Sequence, residues 1–184
     1  MTKKIKAIIA VGGTGGHVLP GCCLADHLNS LNYNVELVTD KRGLRFLEKF
    51  KHLKFSILHS FPLNKKNIFS LFITSSLIFY SIFSSLIFLI LKRPSIVFGM
   101  GGYASFPICI AAAILRIKLI IYENNLFIGK ANKYLSPFAQ KIFVSSKALE
   151  GLSNKYFMKT EEIGNIIEKK ILSFSKLQSI NQNI

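Results

Sequence analysis

Acidic residues are scarce in this chain: nine Asp and Glu stand against 24 Lys and Arg in 184 residues, a formal charge of +15. The imbalance turns the surface toward anionic partners such as acidic lipid or nucleic acid. The alternative is background: the chain is rich in Lys, Ile, Asn and Phe and has no Trp, so the charge also fits solvated faces. Cysteine is rare and odd in number. Cys22, Cys23 and Cys109 lack metal-ligand spacing and cannot pair completely, which excludes a zinc site and a disulfide framework and fits a reducing compartment. No metal and no cofactor is expected. No secretory leader is expected either, because the apolar stretch after Lys3, Lys4 and Lys6 is too short for an h-region and reads as a first strand. No internal repeat is present.

What the chain does have is glycine placed with purpose. Val11-Gly12-Gly13-Thr14-Gly15-Gly16-His17-Val18-Leu19-Pro20 follows the apolar run Ile5 to Ala10. Glycines allow a sharp turn that leaves backbone N–H groups bare at the start of a helix, which Pro20 is expected to open. Such a loop holds phosphate, and the helix dipole favours a diphosphate. Thr14, Gly15 and Gly16 are the candidate cradle. His17, able to exchange a proton near neutral pH, points to group transfer. The loop is not a Walker motif, since no Gly-Lys-Ser/Thr follows, and it misses the third glycine of the dinucleotide fingerprint. Asp40, at the end of the second strand, keeps a nicotinamide or flavin enzyme open as an alternative.

The chain alternates strands (5–11, 34–39, 55–58, 95–98, 118–122, 141–144) with helices (20–31, 43–50, 106–115, 129–136). Continuous apolar strands between helices imply an α/β fold: a parallel sheet covered on both faces, binding ligands beyond the carboxyl ends of its strands. At those ends stand Gly99-Met100-Gly101-Gly102-Tyr103, a second glycine loop whose tyrosine can donate to a sugar or phosphate oxygen, and Glu123-Asn124-Asn125. Glu123 is expected to orient His17 or bind a hydroxyl, or else to cap the next helix. His27, His52 and His59 have no partner pattern. From about residue 170 the chain turns polar and reads as a frayed tail or linker.

Residues 67–91 carry no charge, and 17 of the 25 are Ile, Leu, Phe or Tyr. Length alone makes this a transmembrane candidate. At helical spacing Ser70, Thr74, Ser81, Ser84 and Ser85 form a weakly polar stripe, leaving a broad apolar face. A crossing would put the two glycine loops on opposite sides of a bilayer, and the basic pairs Lys65-Lys66 and Lys92-Arg93 give no orientation bias. The expectation is one or two helices that pack on the sheet and dip an exposed face into a membrane surface, with a buried core helix and a span as alternatives.

These residues carry a resemblance. Gly12 to His17 with Pro20, Gly99 to Tyr103 with Ser105 and Pro107, Glu123 and Asn125 followed by Gly129 and Asn132, and Gly164-Asn165 stand in the order found in the bacterial MurG glycosyltransferases, and the chain resembles their N-terminal half. The resemblance implies a GT-B architecture, two Rossmann-like domains across a cleft, with residues 1–163 as the acceptor-binding domain and 164–184 as interdomain linker or tail. It also implies transfer of N-acetylglucosamine from UDP-GlcNAc to undecaprenyl-diphospho-muramoylpentapeptide in peptidoglycan synthesis. His17 and Glu123 are then the catalytic candidates, and Thr14, Gly15, Gly16, Gly101, Gly102, Tyr103 and Asn125 the substrate-binding ones. The implied setting is peripheral, at an anionic membrane on the cytoplasmic face of the inner membrane, with no nucleic acid as partner. The family has His at Tyr122, Pro at Ile128, and Pro and Arg at Ile166 and Glu168. Its donor-binding domain lies outside these 184 residues, so the expectation is a fragment, a frameshift product or one half of a split enzyme, inactive without a separate donor domain. A non-catalytic polyprenyl-diphosphate-binding subunit is the alternative.

Overall fold

A computed structural model describes residues 5–62 and 67–167. Seven strands, β1 (Lys6–Ala10), β2 (Asn34–Thr39), β3 (Phe55–Ile57), β4 (Ile96–Gly99), β5 (Lys118–Glu123), β6 (Lys141–Val144) and β7 (Thr160–Glu162), form one sheet. Its order is β3-β2-β1-β4-β5-β6-β7, with every neighbouring pair parallel. Alternate residues of a strand face opposite sides, and in β1 both sides are buried: Ala7 and Ile9 enter one core, Ile8 and Ala10 the other. Helix α1 (Gly15–Ser30) covers the first core; α2 (Ile68–Lys92), α3 (Phe106–Ile114) and α4 (Lys130–Leu135) cover the second.

Two expectations are corrected and one strand is added. Helix α1 starts at Gly15, so Pro20 lies inside it and does not open it. The segment 43–50 is two 3₁₀ turns, Leu44–Phe46 and Glu48–Phe50, closed by i to i+3 bonds such as Phe46 N–H to the Gly43 carbonyl, and it buries Leu47 and Phe50. Strand β7 carries no apolar signal, because its side chains are Thr, Glu and Glu at a sheet edge; the backbone ladder and the Lys141–Glu161 ion pair (2.7 Å) hold it. Most of the expected tail, 168–184, and the pair Lys65-Lys66 lie outside the described residues.

The apolar segment is one helix, capped by the Asn67 side chain accepting from Ser70 N–H (2.7 Å) and closed by Arg93 in the left-handed region (φ 48°). Its polar stripe faces inward. Ser81 and Ser85 are fully buried, and each satisfies its hydroxyl on the carbonyl four residues back, Leu77 and Ser81. Small side chains let α2 run close along α3, which presents Ala111 and Ala112. The opposite face carries Phe72, Phe79 and Phe83, 73, 72 and 62% exposed, while Leu86, Phe88 and Leu89 pack on the core. At its last turn Lys92 reaches back into the sheet, where Nζ donates to both carboxylate oxygens of buried Glu36 (2.6 and 2.9 Å). Lys92 therefore does not flank the helix as a free cation, as its place in the sequence suggests.

Candidate functional site

The strand order reverses at β1, which pairs with β2 on one side and β4 on the other, and in open α/β sheets ligands bind beyond the carboxyl ends of the strands at such a reversal. Both glycine loops leave the sheet there. Ala10 stands beside Gly99, and the Met100 N–H donates to the Ala10 carbonyl (2.8 Å). The loops then touch backbone to backbone: a Cβ on Gly12 would lie 2.9 Å from the Gly101 carbonyl oxygen. Gly101 and Gly102 hold φ of 87° and 76°, a region that any other residue enters only at a cost.

His17 projects from the first turn of α1 across this contact. Its ring lies against the second loop so closely that a Cβ on Gly101 would meet Cδ2 at 2.9 Å. Its Nδ1 is 2.8 Å from Thr14 Oγ1, so the threonine hydroxyl serves the imidazole and makes no cap bond of its own. Burial holds the His17 pKa below its usual value near 6.5, against the opposing charge of Glu123, and the ring is neutral at pH 7. A neutral imidazole between the two glycine loops can accept a proton.

The first-turn N–H groups of Gly15 and Gly16 have no intrahelical acceptor. A Cβ on Gly16 would meet nothing within 4 Å, whereas one on Gly15 would come within 3.0 Å of the Phe46 ring, so Gly16 faces the open side. A cleft of about 320 Å³ opens there, walled by Gly15, Gly16, Leu19, Asn124, Asn165 and Ile166. Proline at position 20 cannot return a hydrogen bond to the Gly16 carbonyl; the Asn124 side chain supplies it from the next loop (3.0 Å).

Glu123 is buried at the end of β5, and its carboxylate organises its own loop. Oε1 accepts from Asn125 N–H (3.1 Å) and Asn125 Nδ2 (2.7 Å), and Oε2 from Gly129 N–H (2.8 Å) and Asn132 Nδ2 (3.0 Å). Gly129 is the N-cap of α4, so Glu123 does the capping that the sequence leaves open. It forms no hydrogen bond with His17 among the described residues and reaches it through charge alone. The Asn125 amide is likewise turned to Glu123.

Tyr103, the last residue of the second glycine motif, has the Arg42 guanidinium over its ring (4.2 Å to the centroid). Burial raises its pKa. Arg42 was not a sequence candidate, since it sits in an ordinary turn after β2 that no glycine pattern marks. Tyr122, where the resemblance expects histidine, has its hydroxyl donating to the Gly164 carbonyl (3.1 Å) and accepting from Ile166 N–H (3.2 Å). Of the remaining histidines, His52 pairs with Asp26 (2.7 Å) and His59 lines a cavity beside Tyr103. Cys22 and Cys109 are buried thiols whose pKa burial pushes up to about 12, which makes them inert. No group of three or more metal-ligating side chains occurs among the described residues.

A parallel sheet with this order, two glycine loops in contact at its reversal point and a neutral histidine between them define a Rossmann-like domain of the GT-B class. The chain belongs to glycosyltransferase family 28, whose N-terminal domain matches residues 7–144. It is 33% identical over 169 residues to the UDP-N-acetylglucosamine--N-acetylmuramyl-(pentapeptide) pyrophosphoryl-undecaprenol N-acetylglucosamine transferase of Pelagibacter ubique (strain HTCC1062), covering 92% of this chain and 46% of the relative. Among solved structures it superimposes on Acinetobacter baumannii MurG with a TM-score of 0.69 (21% identity, 89% of this chain and 46% of that one). A Neisseria meningitidis UDP-GlcNAc 2-epimerase bound to UDP-GlcNAc gives 0.66 (14% identity, 97% and 52%). The chain spans about half the length of the curated relatives it matches.

Proposed function

We propose that this chain is the acceptor half of a hexosyltransferase that moves N-acetylglucosamine from UDP-GlcNAc to an undecaprenyl-diphosphate-linked muramoyl-pentapeptide. The observation that carries this is the neutral His17 imidazole held where the two glycine loops meet. The acceptor diphosphate takes the N–H groups of Gly15 and Gly16, aided by the α1 dipole. His17 Nε2 removes the proton of the acceptor hydroxyl while Thr14 holds Nδ1. The hydroxyl oxygen bonds to the anomeric carbon, the bond from that carbon to the diphosphate breaks, and UDP leaves. Glu123 acts as a positioning residue: it fixes Asn125 and the start of α4, and its charge tempers the effect of burial on His17. The UDP-sugar is presented by a second domain, in the same polypeptide or a separate one.

The test uses this chain with farnesyl diphosphate as probe, and then a donor-domain polypeptide for turnover. Gly16→Val should fold, since its Cβ meets nothing, and should weaken diphosphate binding by at least tenfold. His17→Ala should lower kcat about 10²–10⁴-fold while acceptor affinity changes little. Wild-type affinity in Gly16→Val together with unchanged kcat in His17→Ala would overturn the reading.

The setting we propose is the cytoplasmic face of the inner membrane, with the chain bound peripherally. Helix α2 supports this because it buries Ser81 and Ser85 and turns Phe72, Phe79 and Phe83 outward, an exposed apolar face suited to the acyl boundary. It joins β3 to β4 of one sheet and lies along α3, a course that fits docking better than crossing. Liposome flotation with anionic vesicles checks it. Replacing Phe72, Phe79 and Phe83 with Ser should cut the bound fraction at least tenfold and leave the melting temperature unchanged, because all three side chains are exposed. Flotation of the triple variant like wild type, or one terminus shielded from protease in sealed vesicles, would sink peripheral docking.

A further inference from the structure

The turn after β2 holds a charge cluster that the mechanism leaves unused. Buried Asp40 accepts from the N–H groups of Arg42 and Gly43 on Oδ1 (3.1 Å each), and from Arg42 Nε (2.9 Å) and Ser60 Oγ (3.2 Å) on Oδ2. With Nε tied down, the guanidinium cannot swivel. One face stacks on Tyr103, and its edge lies against the first glycine loop, where a Cβ on Gly13 would come 2.5 Å from Nη2. A side chain at position 13 would meet the Arg42–Asp40 pair, since its Cβ would also lie 2.7 Å from Asp40 Oδ1. Among the described residues neither Nη group donates a hydrogen bond, so the guanidinium, with Nη2 beside Gly13, keeps donors free at the border of the loop. Beside it lies a cavity of about 300 Å³, lined by Lys41, Leu58, His59, Phe61 and Tyr103 as well as Arg42.

We infer that this cavity is a subsite for a carboxylate on the peptide of the acceptor, gripped by the Nη edge of Arg42 with Lys41 and His59 around it and Leu58 and Phe61 against the peptide's aliphatic atoms. The inference rests on the acceptor reading above. A planar fork with two parallel donors matches a carboxylate, and a guanidinium whose Nε is already engaged gives up little freedom on binding. The Arg42–Asp40 pair is close to neutral as a unit, so it offers aimed donors more than long-range attraction. The cavity shares no lining residue with the cleft beside Gly15 and Gly16. Two separate anion-competent places therefore flank the first glycine loop, one at each side of Gly13 and Thr14, and the proposed acceptor carries two anionic parts, a diphosphate and a peptide.

Isothermal titration of the full chain with three ligands tests this: farnesyl diphosphate, farnesyl-diphospho-muramoylpentapeptide, and the same compound with its peptide carboxylates amidated. Wild type should prefer the free-acid peptide over the amidated one by about tenfold. Arg42→Gln should erase that preference and leave farnesyl diphosphate affinity within about twofold. Should Arg42→Gln fail to fold with Asp40 left unpaired, Arg42→Lys, which keeps the charge but loses the fork, and exposed Lys41→Gln decide the matter: loss of the preference supports the subsite. The preference persisting in both, or farnesyl diphosphate weakening in step with the peptide ligand, overturns it. If wild type binds all three ligands equally the subsite alone fails, whereas if it binds none the acceptor reading fails with it.

Discussion

The Asn124 side chain donates to the Gly16 carbonyl at 3.0 Å, bridging 108 residues of sequence to make the hydrogen bond that Pro20 denies its own helix. The proline that ends the glycine motif thus creates a vacancy in α1, and the loop after β5 fills it. This ties the proposed diphosphate cradle to the loop carrying Glu123 and Asn125.

Removing that tie should loosen the cradle more than the fold. Asn124→Ala is expected to cost about 1 kcal/mol, the usual worth of one such hydrogen bond, or roughly 2–4 °C in Tm for a domain of this size. Amide exchange should quicken in the first turn of α1 and stay slow in the buried strands. Unaltered exchange at Val18 would show that the bond carries no strain from Pro20.

The depressed pKa of His17 gives stability a pH signature. The unfolded chain takes up the proton near pH 6.5 and the folded chain only at lower pH, so between those values the unfolded state binds more protons. Stability from this group is therefore complete above pH 6.5 and falls as the solution is acidified through that window. Thermal melts from pH 7 to 5 should show a shallower decline for His17→Gln than for wild type; parallel curves would contradict the burial argument.

Glu36 and Lys92 lock the end of α2 to the sheet. Burial pushes the Glu36 pKa up, but hydrogen bonds from Lys92 and Ser56 and the charges of Lys92 and Lys54 outweigh it, so the pKa lies below the ordinary 4.5. Lys92→Met removes the closest charge partner of a buried carboxylate, leaving only the Ser56 hydroxyl (2.6 Å) and the Lys54 ammonium (3.7 Å), and should cost about 3 kcal/mol at pH 7. The pair stabilises above the unfolded pKa of Glu36 and fades as pH falls through the lower folded one, so in urea melts the gap between variant and wild type should narrow below about pH 4.5. A constant gap would mean that Lys92 acts through packing alone.

Tyr122 and Ile166 depart together from the family pattern of His and Pro, and the structure joins them: the Ile166 N–H, which a proline lacks, donates to the Tyr122 hydroxyl at 3.2 Å. Tyr122→Phe and Ile166→Pro each remove this bond. A double-mutant cycle on Tm or urea stability should therefore be sub-additive by about 0.5–1 kcal/mol. Strict additivity would show the two changes to be independent.

Much of the fold was legible beforehand because it rests on local pattern. Short apolar runs between helices account for six of the strands and their parallel class, and glycine spacing places both loops at the carboxyl edge. Strand β7 was not legible, because an edge strand of Thr, Glu and Glu owes its place to the β6 backbone rather than to side-chain burial. The start of α1 is not legible for a related reason, since Pro20 reads locally as a helix opener, while the N–H it lacks inside the helix is compensated by a residue more than a hundred positions away.

By itself, then, the sequence determined the parallel α/β class, the two glycine loops, His17 as their titratable neighbour and the apolar helix, since each follows from the conformational freedom of glycine or from periodic burial within a short window. Tertiary structure alone decided which way α2 turns its serines, that Lys92 points into the sheet at Glu36, that Glu123 caps α4 instead of bonding His17, and that Arg42 stacks on Tyr103 against Gly13. Those are contacts between segments distant in the chain, and side-chain direction at such contacts is set by which neighbours the sheet brings within reach, a quantity no local window contains.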